Sequence, residues 1–239
     1  MSNYFINNNR SLALIVFTIL FIGGCAHTGS LAPAPGANRI PGKDDVVFEK
    51  MAGVMMEAQI NAWTGKSEIL QKVTPLKIAI ENNSGKALRF SGSDFVLVSP
   101  ATGESYEGLP LYAIEDPVVV KSYTPILAPA FYHNNFLIAP YYSSIYKDLA
   151  VYNGPYFYDP HYYKRYFAFW GEMGFPTQEM REKSLPEGVL KHSGRIVGFI
   201  FFEKVSSKIS LVNLQAKLID AKSGNTFGTI TIPFRVKKK

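Results

Sequence analysis

Between Tyr106 and Tyr166 the chain carries thirteen of its fourteen tyrosines, together with Phe131, Phe136 and Phe157. Prolines at 110, 117, 125, 129, 140, 155 and 160 interrupt the same stretch. A proline inside a helix or a central strand removes a backbone donor and clashes with its surroundings, so no long element can run through this segment. Disorder requires low hydrophobicity and high net charge, and neither holds here. The segment must therefore pack, in short pieces, on whatever its flanks build.

Those flanks read as strands. Val54, Met56, Ala58, Ile60 and Ala62 alternate with Met55, Glu57, Gln59 and Asn61, the period of two that turns one strand face to a core. Leu76, Ile78 and Ile80 repeat the pattern and stop at the turn Asn82-Asn83-Ser84-Gly85. Short runs at Leu88 to Phe90 and Phe95 to Val98 follow, with Tyr106 extending a hairpin, whereas Val46 to Met51 offers at most the start of a helix. Strand signals resume beyond Gly194, over Ile196 to Phe202, Ile209 to Asp220 and Phe227 to Val236. About seven short strands separated by turns predict a mostly-β protein: an immunoglobulin-like antiparallel sandwich of residues 46–108 and 187–236, interrupted by an insertion over 109–186. Asp159-Pro160 supplies an N-cap and first position for a short helix to about Trp170, and Thr177 to Lys183 is a second helical stretch.

The N-terminal end has another character. From Ser11 to Ile22 the chain is almost wholly apolar and follows Arg10, the layout of a secretory signal and shorter than the ~20 apolar residues of a membrane span. Gly23 and Gly24 then lead to Cys25, the only cysteine of 239 residues. Ile22-Gly23-Gly24-Cys25 resembles the lipobox of bacterial lipoproteins. That resemblance implies cleavage between Gly24 and Cys25, loss of residues 1–24 as a signal peptide, and acylation of Cys25 by more than one fatty chain, which anchors stably where a single chain binds marginally. It places the protein in the bacterial cell envelope, and Ala26 where Asp would retain an enterobacterial lipoprotein in the inner membrane favours the outer one. Residues 25–45, with Gly29, Pro33, Pro35, Gly36, Pro41 and Gly42 and no apolar period, are expected to be a flexible linker. With the sole thiol acylated, the mature chain has no internal disulfide to rely on. The alternative is an ordinary signal peptide or short signal anchor with a chance cysteine.

The strands carry a second likeness. Trp63-Thr64-Gly65, Val73-Thr74-Pro75, Ile80-Glu81-Asn82-Asn83-Ser84, Asp94-Phe95-Val96-Leu97, Leu185-Pro186-Glu187-Gly188, Gly194 and Gly198-Phe199 together resemble the immunoglobulin-like domains of uncharacterised bacterial lipoproteins. In those domains a strand ending in Ile-x-Asn-x-Ser pairs with a later Leu-x-x-Gly followed by Gly-x-x-x-Gly-Phe. A looser likeness is to the water-stress β-sandwich of late-embryogenesis-abundant proteins. The resemblance spans roughly residues 53–108 and 185–236, implies a sandwich, and brings no catalytic motif.

Two uses of the insertion compete. Its rings can pack on one another and on the sheet, their hydroxyls reaching water or backbone. Alternatively Tyr132, Tyr141, Tyr142, Tyr156, Tyr158, Tyr162, Tyr163 and Trp170 stay exposed as a platform for a glycan or another envelope protein, since such rings are enriched at interfaces. The pairs Tyr141-Tyr142 and Tyr162-Tyr163 cannot both point inward from a strand, which favours partial exposure.

Little in the sequence suggests catalysis. His27, His133, His161 and His192 lack metal-ligand spacing, and a meeting of Asp159, His161 and Glu172 would be accidental. No serine stands in Gly-x-Ser-x-Gly, there is no glycine-rich phosphate loop, and Glu115-Asp116 before Pro117 suits a turn better than acid–base work. No catalytic residue, metal or cofactor is expected. The formal charge of +6 falls to +5 when Arg10 leaves with the signal, an excess compatible with anionic lipid or polymer. No nucleic-acid partner is expected, and Lys237-Lys238-Lys239 reads as a solvated tail. The expected function is that of a membrane-anchored, non-enzymatic binding or assembly-supporting lipoprotein. An envelope hydrolase or carbohydrate-active enzyme with a site between insertion and sandwich is the alternative, and a structural accessory with all its tyrosines buried is a third reading.

Overall fold

The alternation in the sequence is what the strands bury: Val54, Met56, Ala58 and Ile60 face the core while Met55, Glu57 and Gln59 between them stay half exposed. The computed structural model describes residues 29–114, 123–127, 129–173 and 175–238, the side chains of 169 and 171–173 excepted. Residues 1–28, with the proposed signal, Gly24, Cys25 and His27, lie outside the described residues, as do Glu115-Asp116 and the side chain of Glu172.

The protein is mostly β, with few helices. Its strands are β1 (Gly29–Pro33), β2 (Arg39–Ile40), β3 (Lys43–Met51), β4 (Val54–Gln59), β5 (Val73–Asn82), β6 (Leu88–Phe90), β7 (Phe95–Val98), β8 (Ser105–Glu107), β9 (Tyr132–Ile138), β10 (Gly188–Glu203), β11 (Leu211–Asp220) and β12 (Thr226–Lys238). Three helices accompany them: α1 (Ile69–Lys72), α2 (Pro160–Met173) and α3 (Gln178–Lys183). All twelve strands belong to one antiparallel sheet, in the order β1-β12-β11-β6-β10-β5-β4-β3-β2, with β7 and β8 attached to β11 and β9 to β10.

The strand β10 is the hub. It pairs β5 along Gly194 to Glu203, β6 along Gly188 to Leu190, and β9 on its other edge. Because β6 also pairs β11, the hydrogen bonding never divides into two separate sheets, and a two-sheet immunoglobulin-like sandwich is not confirmed. The sheet instead curls until β3 lies against β12 and β1. A single core of buried residues results, running from Val47 and Met56 through Leu97 and Tyr142 to Phe234.

Two glycines of β10 explain part of the motif read from the sequence. A Cβ on Gly188 would stand 2.2 Å from the Leu137 carbonyl oxygen, and one on Gly198 would stand 2.8 Å from the Leu185 nitrogen, so backbone from the insertion crosses β10 where only hydrogen leaves room. The Asn82 side chain closes the end of β5. Its Nδ2 donates to the carbonyls of Lys86 (2.8 Å) and Leu190 (2.9 Å), and its Oδ1 accepts from the Ser84 nitrogen (3.1 Å) and hydroxyl (2.6 Å). Every polar group of this fully buried amide is thereby used.

Several expectations need correction. Residues 29–45 are not a flexible linker: β1, β2 and the start of β3 lie there, and Leu31, Ala32 and Ala34 are buried. The prolines that suggested a linker sit at strand ends and turns, where a missing N–H costs no ladder bond. The stretch Val46 to Met51 is strand, held by the β3–β4 hairpin. Among the described residues the strands number twelve rather than about seven, because β1, β2, β3 and β9 lack a long alternating run. Residues 109–186 are no appendage, since β9 within them is hydrogen-bonded to the hub. The helices at Asp159-Pro160 and Thr177 form as expected: Asp159 Oδ1 accepts from the nitrogens of His161 (2.9 Å) and Tyr162 (3.3 Å), and Thr177 Oγ1 from that of Met180 (3.2 Å).

Candidate functional site

The helix α2 and the 3-10 turn Pro140–Tyr142 bring the tyrosines together. Consecutive side chains leave a helical turn about 100 to 120° apart, so neighbours in sequence can enter different parts of a concave surface. Tyr162 and Tyr163 do this from α2: the first donates to the Gly108 carbonyl and the second to the carboxylate of Glu187 (2.5 Å). Tyr141 reaches the same carboxylate and lies 3.0 Å from the Tyr163 hydroxyl, while the ring of Tyr142 packs edge-on against it. The expectation of partial exposure for these adjacent pairs therefore fails, because it assumed a strand.

Of the eight aromatic candidates for an exposed platform, Tyr141, Tyr142, Tyr162, Tyr163 and Trp170 are buried, Trp170 to 1% exposure. Tyr156 and Tyr158 are half-buried, and their hydroxyls donate to the carbonyls of Phe90 (2.7 Å) and Ile114. The Trp170 indole donates to the Pro110 carbonyl. Tyr132 alone stays open, at 57%, on β9, beside exposed His133, Asn134 and Asn135. Tyr156, Tyr158 and Tyr162 thus set their hydroxyls on backbone carbonyls and Tyr141 and Tyr163 set theirs on Glu187, while the rings contribute apolar area.

At the centre stands Glu187, which sequence reasoning passed over although it lies in the quoted Leu-Pro-Glu-Gly run. Its carboxylate accepts from Tyr141, Tyr163 and the Gly92 nitrogen (3.2 Å). Burial pushes its proton affinity above the usual glutamate range, and those three donors only partly offset the effect. Near it Asp94 is also pushed up by burial, against the pull of Arg89, whose guanidinium lies 4.0 Å away. Asp94 accepts from the Ser91 nitrogen (2.8 Å) and hydroxyl (3.0 Å), and Arg89 lies over the rings of Tyr156 and Phe157. The phenols of Tyr141, Tyr142, Tyr156, Tyr162 and Tyr163 are held far above their ordinary value, first by burial and next by the Glu187 charge. The signal that could have found this cluster is an acidic residue embedded in the apolar run from Leu185 to Leu190.

The cavity beside Glu187 measures about 30 Å³. That is room for a water molecule or two and far below the hundreds of Å³ of a small-molecule site. A larger groove, about 380 Å³, runs along α2 between Ala113, Ile114, Pro160, Phe167 and Ala168, with Lys164 the one ionised side chain among the described residues of its lining. Among the described residues no three His, Cys, Asp or Glu side chains gather as a metal cage, and no helix is long and apolar enough to cross a membrane. His133 is exposed, His192 Nδ1 accepts from the Gly85 nitrogen (3.2 Å), and Asp159 caps α2 rather than meeting His161 in a cation site. Fold and cluster together define an antiparallel β protein with a tyrosine-pinned insertion. No protein-family model matches the chain, and no curated protein or solved structure proved significantly similar to it.

Proposed function

We propose that the protein is a lipid-anchored, non-enzymatic component of a bacterial cell envelope, a rigid β body that binds an envelope protein or glycan. The observation that supports the non-catalytic half is that Glu187 is buried and its carboxylate is taken up by Tyr141, Tyr163 and the Gly92 nitrogen beside a cavity of only about 30 Å³. Groups with shifted proton affinity mark a reaction site when they converge on a pocket that admits substrate, and these converge on one another. The anchoring half rests on Ile22-Gly23-Gly24-Cys25 after its apolar run.

With the other tyrosines pinned inward, the partner surface moves to β9. Its first residues present Tyr132, His133, Asn134 and Asn135 to solvent, a ring and three hydrogen-bonding side chains on a strand that pairs β10 along one edge and meets Val151 at its far end, by Ile138. Free strand edges are pairing surfaces.

Both halves are testable in cells. Cys25→Ser should abolish labelling by a fatty acid and release the protein from the membrane fraction or leave its signal uncleaved; unchanged labelling and fractionation contradict the anchor. A photoreactive residue in place of Tyr132 should give a discrete crosslinked species that the same residue in place of Ser223 does not. Identical patterns at both positions contradict the β9 surface.

A further inference from the structure

The two ends of the curled sheet are built differently. Gly29 pairs with Lys238 and donates to the Val205 carbonyl (3.3 Å), so the start of β1, the end of β12 and the loop after β10 share one end. There α1 turns Ile69 into the core and leaves Leu70, its neighbour, 37% exposed. Leu70 stands at a cavity of about 240 Å³ whose lining includes Leu31, Ile60, Trp63 and Leu76. Lysines gather at this end of the sheet, with Lys204 in the lining of the cavity. Lys204 donates to the Leu70 carbonyl, Lys208 follows the loop that touches Gly29, and Lys237 and Lys238 stand opposite Ser30 and Gly29. Lys72 shares a neighbouring depression with Lys204, where Glu104 and Glu203 offset part of the charge. At the opposite end Lys86 is paired with Asp220 at 3.7 Å, and Lys222 is exposed in the turn with Ser223.

The tether selects between them. Because residues 29–33 belong to the sheet, only four peptide links separate Cys25 from Gly29. At no more than about 3.6 Å each, they reach at most ~14 Å. An anionic membrane attracts lysines within about a Debye length, ~8 to 10 Å. A twenty-residue linker would leave the domain free to tumble, whereas a four-residue one holds the Gly29 end at the headgroups.

We propose that this end is a membrane-contact surface for anionic phospholipid, with Leu70 at the apolar interface and the lysines over the headgroups. The proposal rests on acylation of Cys25 and adds which face of the domain the membrane covers.

The full-length chain tests it. If Cys25 is acylated, Leu70→Cys and Ser223→Cys each provide a single thiol for an environment-sensitive dye, at opposite ends of the sheet and both on the surface. The labelled proteins are reconstituted into vesicles of phosphatidylethanolamine and phosphatidylglycerol containing a spin-labelled lipid quencher, and into neutral phosphatidylcholine vesicles with the same quencher. Quenching at position 70 should exceed that at position 223 several-fold, and the excess should shrink on neutral vesicles. Equal quenching at the two positions, or more at 223, overturns the proposed face. An excess that is the same on neutral vesicles overturns its anionic preference. The intact mass of the unlabelled wild-type chain separates these results from failure of the anchor itself: without added fatty chains, the reading beneath the proposal fails first.

Discussion

Burial raises the Glu187 carboxyl while Tyr141, Tyr163 and the Gly92 nitrogen pull it back, and the net shift is upward. The folded state therefore holds a proton at pH values where the unfolded chain has released it. Stability from this group is fully present below the ordinary glutamate value of 4.5 and is lost as pH rises through the raised folded value. Asp94, raised likewise by burial beside Arg89, acts in the same direction from 3.8 upward. The urea midpoint of the wild type should fall as pH rises above 4.5, and Glu187→Gln should flatten most of that slope, leaving the shares due to Asp94 and Glu203, which burial also raises. An unchanged slope in the variant would show that Glu187 is not the titrating group. A different residue tests the end of β5. Asn82→Asp keeps the shape but turns a carboxylate oxygen toward the carbonyls of Lys86 and Leu190, and should cost about 3 kcal/mol or more at neutral pH in urea unfolding. A loss under ~1 kcal/mol would mean that this amide does not close the strand.

Elements differ in how much of themselves they announce. The strands β4, β5, β6, β7, β11 and β12 were legible because one face is buried and the other wet, and the caps of α2 and α3 were legible because Asp159 and Thr177 stand before their first turns. What hid β1 and β3 is composition: Pro33 ends the first, and the second opens with Lys43, Asp44 and Asp45 before Val46 and Val47. The strand β9 was hidden because Tyr132 to Asn135 are all exposed, so only Phe136 and Ile138 record its inner face. The tyrosine cluster was visible as a concentration of rings but not as a core, because burial of neighbouring rings depends on helical geometry that a strand-based reading leaves out. Gly198 tests how tightly these elements meet. A methyl at this position would press within 3 Å of the Leu185 backbone, so Gly198→Ala should destabilise by about 1 to 3 kcal/mol, with Gly85→Ala as a control in open space that suffers only from its positive φ. Equal losses in the two variants would contradict the close crossing of the insertion over β10.

At the scale of the whole molecule, one core, shared by the flanking strands and the insertion, is the property on which the rest depends. An insertion that merely decorated a sandwich could be cut out, whereas this one supplies β9 to the hub and buries Tyr142, Tyr146 and Trp170 against it. Replacing residues 117–176 by a short Gly/Ser bridge should accordingly yield no soluble, cooperatively folding protein, because the sheet would lose a strand and expose its concave face. The same rigidity suits the proposed anchored role, in which a binding edge would be held at a fixed height above lipid. Native-state hydrogen exchange tests this unity most directly, since amides opening only by global unfolding exchange with the full stability of the molecule. The amides of α2 around Tyr162 to Trp170 and of β9 should exchange at the same free energy as those of β10 from Ile196 to Phe202. Exchange of the insertion several kcal/mol more easily than β10 would contradict a shared core and make the tyrosine-rich segment a separate, weakly attached unit.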